Sequence, residues 1–166
     1  MSIRSLADLA NELRTTTKLV RTGVVLVPPT ALRQVKDAAY RAGLDVVDYV
    51  TWKLERLAPG QRSVPLNVGS FLGDLDEIAN GNSVSGCILI ANADVPLARL
   101  HVHERTLVWD LLLNSFKRRR QAIVLAIPRG AYHLFPQNHE EEWTRLGRIA
   151  AIERTGDRGC VDADDR

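Results

Sequence analysis

Four consecutive apolar residues, Val24, Val25, Leu26 and Val27, run straight into Pro28 and Pro29. β-Branched side chains favour the pleated backbone, and an apolar run without polar alternation reads as a strand buried on both faces. The two prolines fix φ and lack N–H groups, so the chain must turn there. Downstream, Leu32, Val35, Ala38, Ala39 and Ala42 recur at helical spacing and stop at Gly43, a good residue just past a helix end. Strand, sharp turn and helix in that order form the opening unit of a parallel α/β domain.

The alternation continues. Residues 44–50, 86–92 and 122–127 read as three further strands. The run G-C-I-L-I-A-N at 86–92 is apolar on both faces and therefore central, and Pro128 stops the fourth strand. Between them, residues 51–57 read as a short helix. Residues 68–79 read as a helix capped by Asn67, with Phe71, Leu72, Leu75 and Ile78 on one face. Residues 104–119 read as the strongest helix, with Leu107, Val108, Leu111, Leu112 and Phe116 turned inward and a K-R-R-R end that complements the helix dipole. Residues 1–21 read as an N-terminal helix outside the strand–helix core that packs on the sheet or on a partner, starting at Ser5 and Asp8 with an apolar stripe of Leu6, Leu9, Ala10 and Leu13. Residues 132–135 read as a short edge strand, 140–152 as a last helix and 154–166 as a disordered polar tail. The expectation is a three-layer α/β fold over residues 22–153. Its mostly parallel sheet has four to five strands, with the first, third and fourth in the middle and helices on both faces.

Bulk properties narrow the function classes. A net charge of +2 over 166 residues selects neither nucleic acid nor membrane, so any basic surface is local. No apolar run approaches the length that spans a bilayer. Cys87 sits in an apolar run and Cys160 in the polar tail, which argues against a disulfide framework and fits a reducing cytoplasm.

In open parallel sheets chemistry gathers at the carboxyl ends of the strands. The turn after the first strand carries no G-x-x-x-x-G-K-[ST] phosphate loop, no G-x-G-x-x-G and no paired acids. The segment I-L-I-A-N-A-D puts Ala91 where a Mg²⁺-holding acid of an ATPase belongs, with Asn92 and Asp94 beside it. Asp94 reads as a cap for the loop before Pro96, and Asp45 and Asp48 as solvent-facing ends of the second strand. Cys87 reads as an inert core residue. His101 and His103 lack further ligand-spaced partners, which argues against a metal.

The succession G-V-V-L-V-P-P, D-V-V-D-Y-V, L-E-R-L-A-P-G-Q-R, I-L-I-A-N-A-D, R-Q-A-I-V-L-A-I-P and H-E-E-E-W resembles the small P-loop-containing accessory protein of BREX-type bacteriophage-exclusion systems, over residues 23–143. In that pattern the third strand ends in L-D-N-x-E; here Ala91 replaces the acid, and Asn92 and Asp94 echo the rest. The resemblance implies a P-loop NTPase-like fold with degenerate Walker positions at Pro28, Pro29, Thr30, Ala91, Asn92 and Asp94. It also implies a cytoplasmic role in antiviral defence with other defence-system proteins as partners.

With the phosphate chemistry missing, the expectation is a chain with no catalytic residue, cofactor or metal, working through its surface. Trp109 lies one position off the stripe of its helix, which reads either as a half-buried core residue or as the anchor of a protein contact or homo-oligomer alongside the N-terminal helix. Lys117, Arg118, Arg119 and Arg120 read either as a solvated helix end or as a weak, sequence-independent contact to DNA. Arg4, Arg14, Lys18 and Arg21 enlarge that patch if the first helix lies alongside. Two rival readings stay open: a nucleic-acid-binding accessory protein, and a divergent ATPase.

Overall fold

In the computed structural model, which describes residues 4–117 and 119–152, the apolar runs become neighbours in one sheet. Its strands are β1 (Arg4–Ser5), β2 (Thr22–Val27), β3 (Asp45–Asp48), β4 (Cys87–Ala91), β5 (Ala122–Pro128) and β6 (Ile149–Ala151), in the order β1-β6-β2-β5-β4-β3. Every adjacent pair is parallel. β2, β5 and β4 occupy the centre, as their unbroken apolar character predicts, and β2 is buried at every residue. The count is six rather than four to five because β1 and β6 are short strands inside stretches that read as helix.

Successive side chains of a strand face opposite ways, so β2 feeds two cores. Val25 and Val27 pack with α1 (Leu6–Thr15) and α2 (Val35–Arg41) on one face. Val24 and Leu26 belong to the larger core on the other, with α4 (Val68–Ala79), α6 (Val102–Asn114) and α7 (Gln137–Arg145). Two short helices, α3 (Tyr49–Glu55) and α5 (Asp94–Arg99), follow β3 and β4 directly. The architecture is the three-layer α/β sandwich expected. No helix among the described residues is long and apolar enough to cross a membrane.

Several expectations are corrected. Of the two placements open to the N-terminal helix the structure shows the sheet, so it is part of the core rather than outside it: Leu6, Leu9, Ala10 and Leu13 are all buried there. Ser5 caps it through the Asp8 N–H, as its S-x-x-D start predicts, but it ends at Thr15, where the β-branched Thr run begins. The helix expected at 104–119 starts at Val102 and stops at Asn114, so the basic run follows the helix instead of ending it. Phe116 turns into the core, and Lys117 bridges antiparallel to Val20. Residues 132–135 form a turn rather than an edge strand, with Leu134 and Phe135 buried. The last helix ends at Arg145, because Gly147 at φ 70 reverses the chain into β6. The tail at 154–166 lies outside the described residues.

The carboxyl end of α6 is closed by side chains from the sheet. Thr22 Oγ1 donates to Leu112 O at 2.6 Å, and the Arg148 guanidinium donates to Leu113 O and to Val20 O, each at 3.2 Å. The bonds to Leu112 O and Leu113 O satisfy carbonyls that the helix leaves open, Arg148 ties that end to the Val20 carbonyl before β2, and its charge sits at the negative end of the helix dipole.

Leu9 is fully buried, with Gly23 close against it. Leu9→Ala is expected to cost about 2–5 kcal/mol of stability, seen as a lower denaturant midpoint at unchanged slope. Deleting residues 1–18 should unfold the chain rather than release a folded domain, which circular dichroism will report.

Candidate functional site

The site-forming edge is the one the topology dictates, where β2, β5 and β4 end side by side. After Val27 the chain passes Pro28 into a 3₁₀ turn, Pro29–Gln34, tied by the Ala31 N–H to Pro28 O at 2.8 Å. After Ala91, Asn92 adopts φ 58, the left-handed region that costs most residues energy and that Asn tolerates better than most. α5 then begins at Asp94. After β5, the Arg129 N–H returns to Val27 O at 2.9 Å, which locks the β5 turn onto β2.

Between these ends lies a cleft of about 200 Å³. Val27, Ala91, Ala126 and Ile127 give it an apolar lining, and Leu32, Lys36, Asn92, Asp94 and Pro128 also line it. The structure therefore brings together Ala91, Asn92 and Asp94 at one wall. The β2 wall is made by Val27, Leu32, Val35 and Lys36, while Pro28 is half-buried and Pro29 and Thr30 face solvent.

Beside the cleft sits a polar cluster centred on Asp48. Its Oδ1 accepts from the Val50 and Thr51 N–H groups at 3.1 and 3.2 Å, capping α3. Its Oδ2 accepts from Asn92 Nδ2 at 2.8 Å and lies 3.7 Å from Lys36 Nζ. Burial alone would raise the Asp48 pKa, but the Asn92 bond, the Thr51 N–H, the Lys36 charge and the Val50 N–H hold it below the ordinary carboxylate value. Asp45 is likewise no solvent-facing end: it accepts from the Ser83 hydroxyl, which chiefly holds its pKa down. On the opposite face, buried Asp74 accepts from the buried Tyr49 hydroxyl at 2.6 Å and from half-buried Lys53 Nζ at 2.8 and 2.9 Å, a triad that pins α3 to α4.

The other singled-out residues are dispersed. Trp109 is 0% exposed and its Nε1–H donates to Leu134 O at 2.7 Å. It packs edge-on to Trp143 at 5.7 Å and 4.4 Å from Phe135, so it is a core residue and not a surface anchor. Lys117 and Arg120 are exposed, Arg119 is half-buried on Asp76, and Arg118 lies outside the described residues. Arg21 is buried and donates to Arg119 O and Arg120 O, while Arg14 donates to Ser85 O and Gly43 O. His101 precedes α6, its N–H held by Glu104 at 2.7 Å. Cys87 is buried, and burial pushes its thiol up to about 12.

Sequence reasoning missed Lys36 and the role of Asp48. Lys36 is the second residue of α2, two positions past the 3₁₀ turn, and lines the cleft from that helix rather than from the strand-end loop. Asp48 did carry a signal: an Asp just before a short helical stretch is a cap. Comparison with known protein families, curated proteins and solved structures finds no match.

Because the Asp48 pKa is lowered in the fold, its stabilising contribution is complete above the unfolded value of about 4 and is lost as pH falls through the folded value. Asp48→Asn should therefore be less stable than the parent near neutrality, with the difference closing below about pH 4. Thermal melts across pH measure this directly.

Proposed function

We propose that the chain is a non-catalytic, P-loop-derived interaction module of a BREX-like antiviral assembly in the cytoplasm. The observation that carries this reading is the content of the strand-end cleft. Phosphate chemistry at such an edge needs converging N–H donors, a free cation and an acid for Mg²⁺. Here the turn begins with two prolines, the acid position is Ala91, and Lys36 already faces Asp48. The cleft of about 200 Å³ is also below the roughly 300–1,000 Å³ usual for ligand pockets. The defence context rests on the sequence resemblance.

The contact surface belongs at this same edge. Leu32, Val95 and Tyr132 are 50%, 45% and 49% exposed, and each follows a central strand, β2, β4 and β5 in turn. Large apolar side chains around a shallow apolar cleft favour a protein partner or a second copy. Leu32→Asp with Val95→Asp is expected to abolish co-purification with the products of neighbouring defence genes while leaving the melting temperature within a few degrees. Retention of every partner would reject this surface.

A second reading, a divergent nucleotide-binding protein, is favoured by one observation: Lys36 and Asp94 line the same cleft. Thermal melts with Mg²⁺ and ATP or GTP separate the two. The first reading expects no shift, whereas a saturable rise that Lys36→Ala removes would establish the second.

A further inference from the structure

A second concavity lies along the open side of the sheet. β3 is outermost, and beside it runs a trough of about 570 Å³ that Val47, Ile78 and Ile88 help to line. α3 supplies one wall through Trp52, whose ring carries the Arg56 guanidinium 4.0 Å above its centroid. The turn between α4 and β4 supplies the other through Asn80 and Asn82.

The basic segment is fastened to that turn. Arg120 Nη1 donates to Asn82 Oδ1 at 3.1 Å, its N–H points to Asn80 Oδ1 at 3.4 Å, and Arg119 pairs with Asp76. The carboxylates lining the trough, Asp76 and Glu77, are each matched by a guanidinium, from Arg119 and Arg56. Arg120 and Lys117 are exposed and have no carboxylate partner among the described residues. The local excess is therefore positive, although the chain as a whole is near neutral.

We propose that this trough binds single-stranded nucleic acid. A base stacks against the Trp52–Arg56 pair with its edge toward Asn80 and Asn82, and flanking phosphates lie on Arg120 and Lys117. An indole face and a guanidinium plane accept any base by stacking, and carboxamides offer both donors and acceptors to its edge. An open trough lets a polymer enter and leave at its ends. In a duplex the bases are already stacked on one another and offer no free face to this site, so only the phosphate contacts remain. The site lies away from the strand-end cleft and does not depend on the proposed protein contact.

Trp109 and Trp143 are fully buried, so quenching of tryptophan emission reports Trp52. The full chain is titrated with a labelled oligothymidylate and with the matching duplex at several salt concentrations. Saturable quenching and anisotropy are expected for the single strand, with weaker duplex binding. Arg56→Ala should weaken the complex at least about fivefold. Arg120→Gln should lower the magnitude of the log–log salt slope by about 0.7. Trp52→Phe should keep the fold and remove the quenching. The proposal is overturned if no single strand binds at low salt, if the duplex binds as tightly, or if Arg56→Ala and Arg120→Gln, both at exposed positions, bind like the parent. Binding without quenching would place nucleic acid elsewhere and also overturn it.

Discussion

Burial of β2, β5 and β4 on both faces is the constraint from which the rest of the molecule follows. A strand with no water on either side must satisfy its backbone groups in the ladder, and β5 does so between β2 and β4. The side chains leave no room for chemistry within the layer, so polar function is pushed to the strand ends and to the outer strand. Two helical layers are needed to cover the two faces, and α1 is one of those covers. This is why a segment that precedes the first central strand cannot be dispensable.

The central strands were legible because β-branched runs bounded by prolines and glycines have few alternatives. α4 was legible to the residue, since Asn67 and the Phe71, Leu75, Ile78 face agree with each other, and its capping box with Ser70 forms. The inward face of α6 was legible only in part, with Val108 and Leu112 inward as expected but Leu107 exposed. Apolar residues surround that helix, with Val102 and Leu107 outward and Val108, Leu112 and Leu113 inward, so periodicity could not choose between them. Trp109 was decided by a partner far along the chain, the Leu134 carbonyl. β6 was hidden because Ile149 and Ile152 continue a plausible helical spacing from Trp143, and one glycine breaks it. In the candidate site, Ala91, Asn92 and Asp94 were placed together from topology alone, whereas Lys36 and Asp48 met across a distance no local pattern encodes.

Counting basic residues also overstates the positive surface. Arg14, Arg21 and Arg148 direct their guanidinium groups at backbone carbonyls near the amino edge of the sheet, where they close loops and a helix end. Burial pulls the Arg148 pKa down from its ordinary value, the cost of desolvating a cation held only by neutral oxygens. Lys117 and Arg120, by contrast, keep their side chains exposed in the short segment that leads into β5.

The pairing of Arg4 and Ser5 with Ala150 and Ala151 has a consequence for synthesis on the ribosome. β1 is completed by β6, the last strand described here, and the two sit together at one margin of the sheet. At about 5–20 residues per second, the nascent chain waits on the order of ten seconds before β1 can find its neighbour. Through that interval the Leu6, Leu9 and Leu13 stripe has no finished sheet to lie on. An apolar stripe that the mature fold covers is thus left uncovered for as long as the chain is still growing.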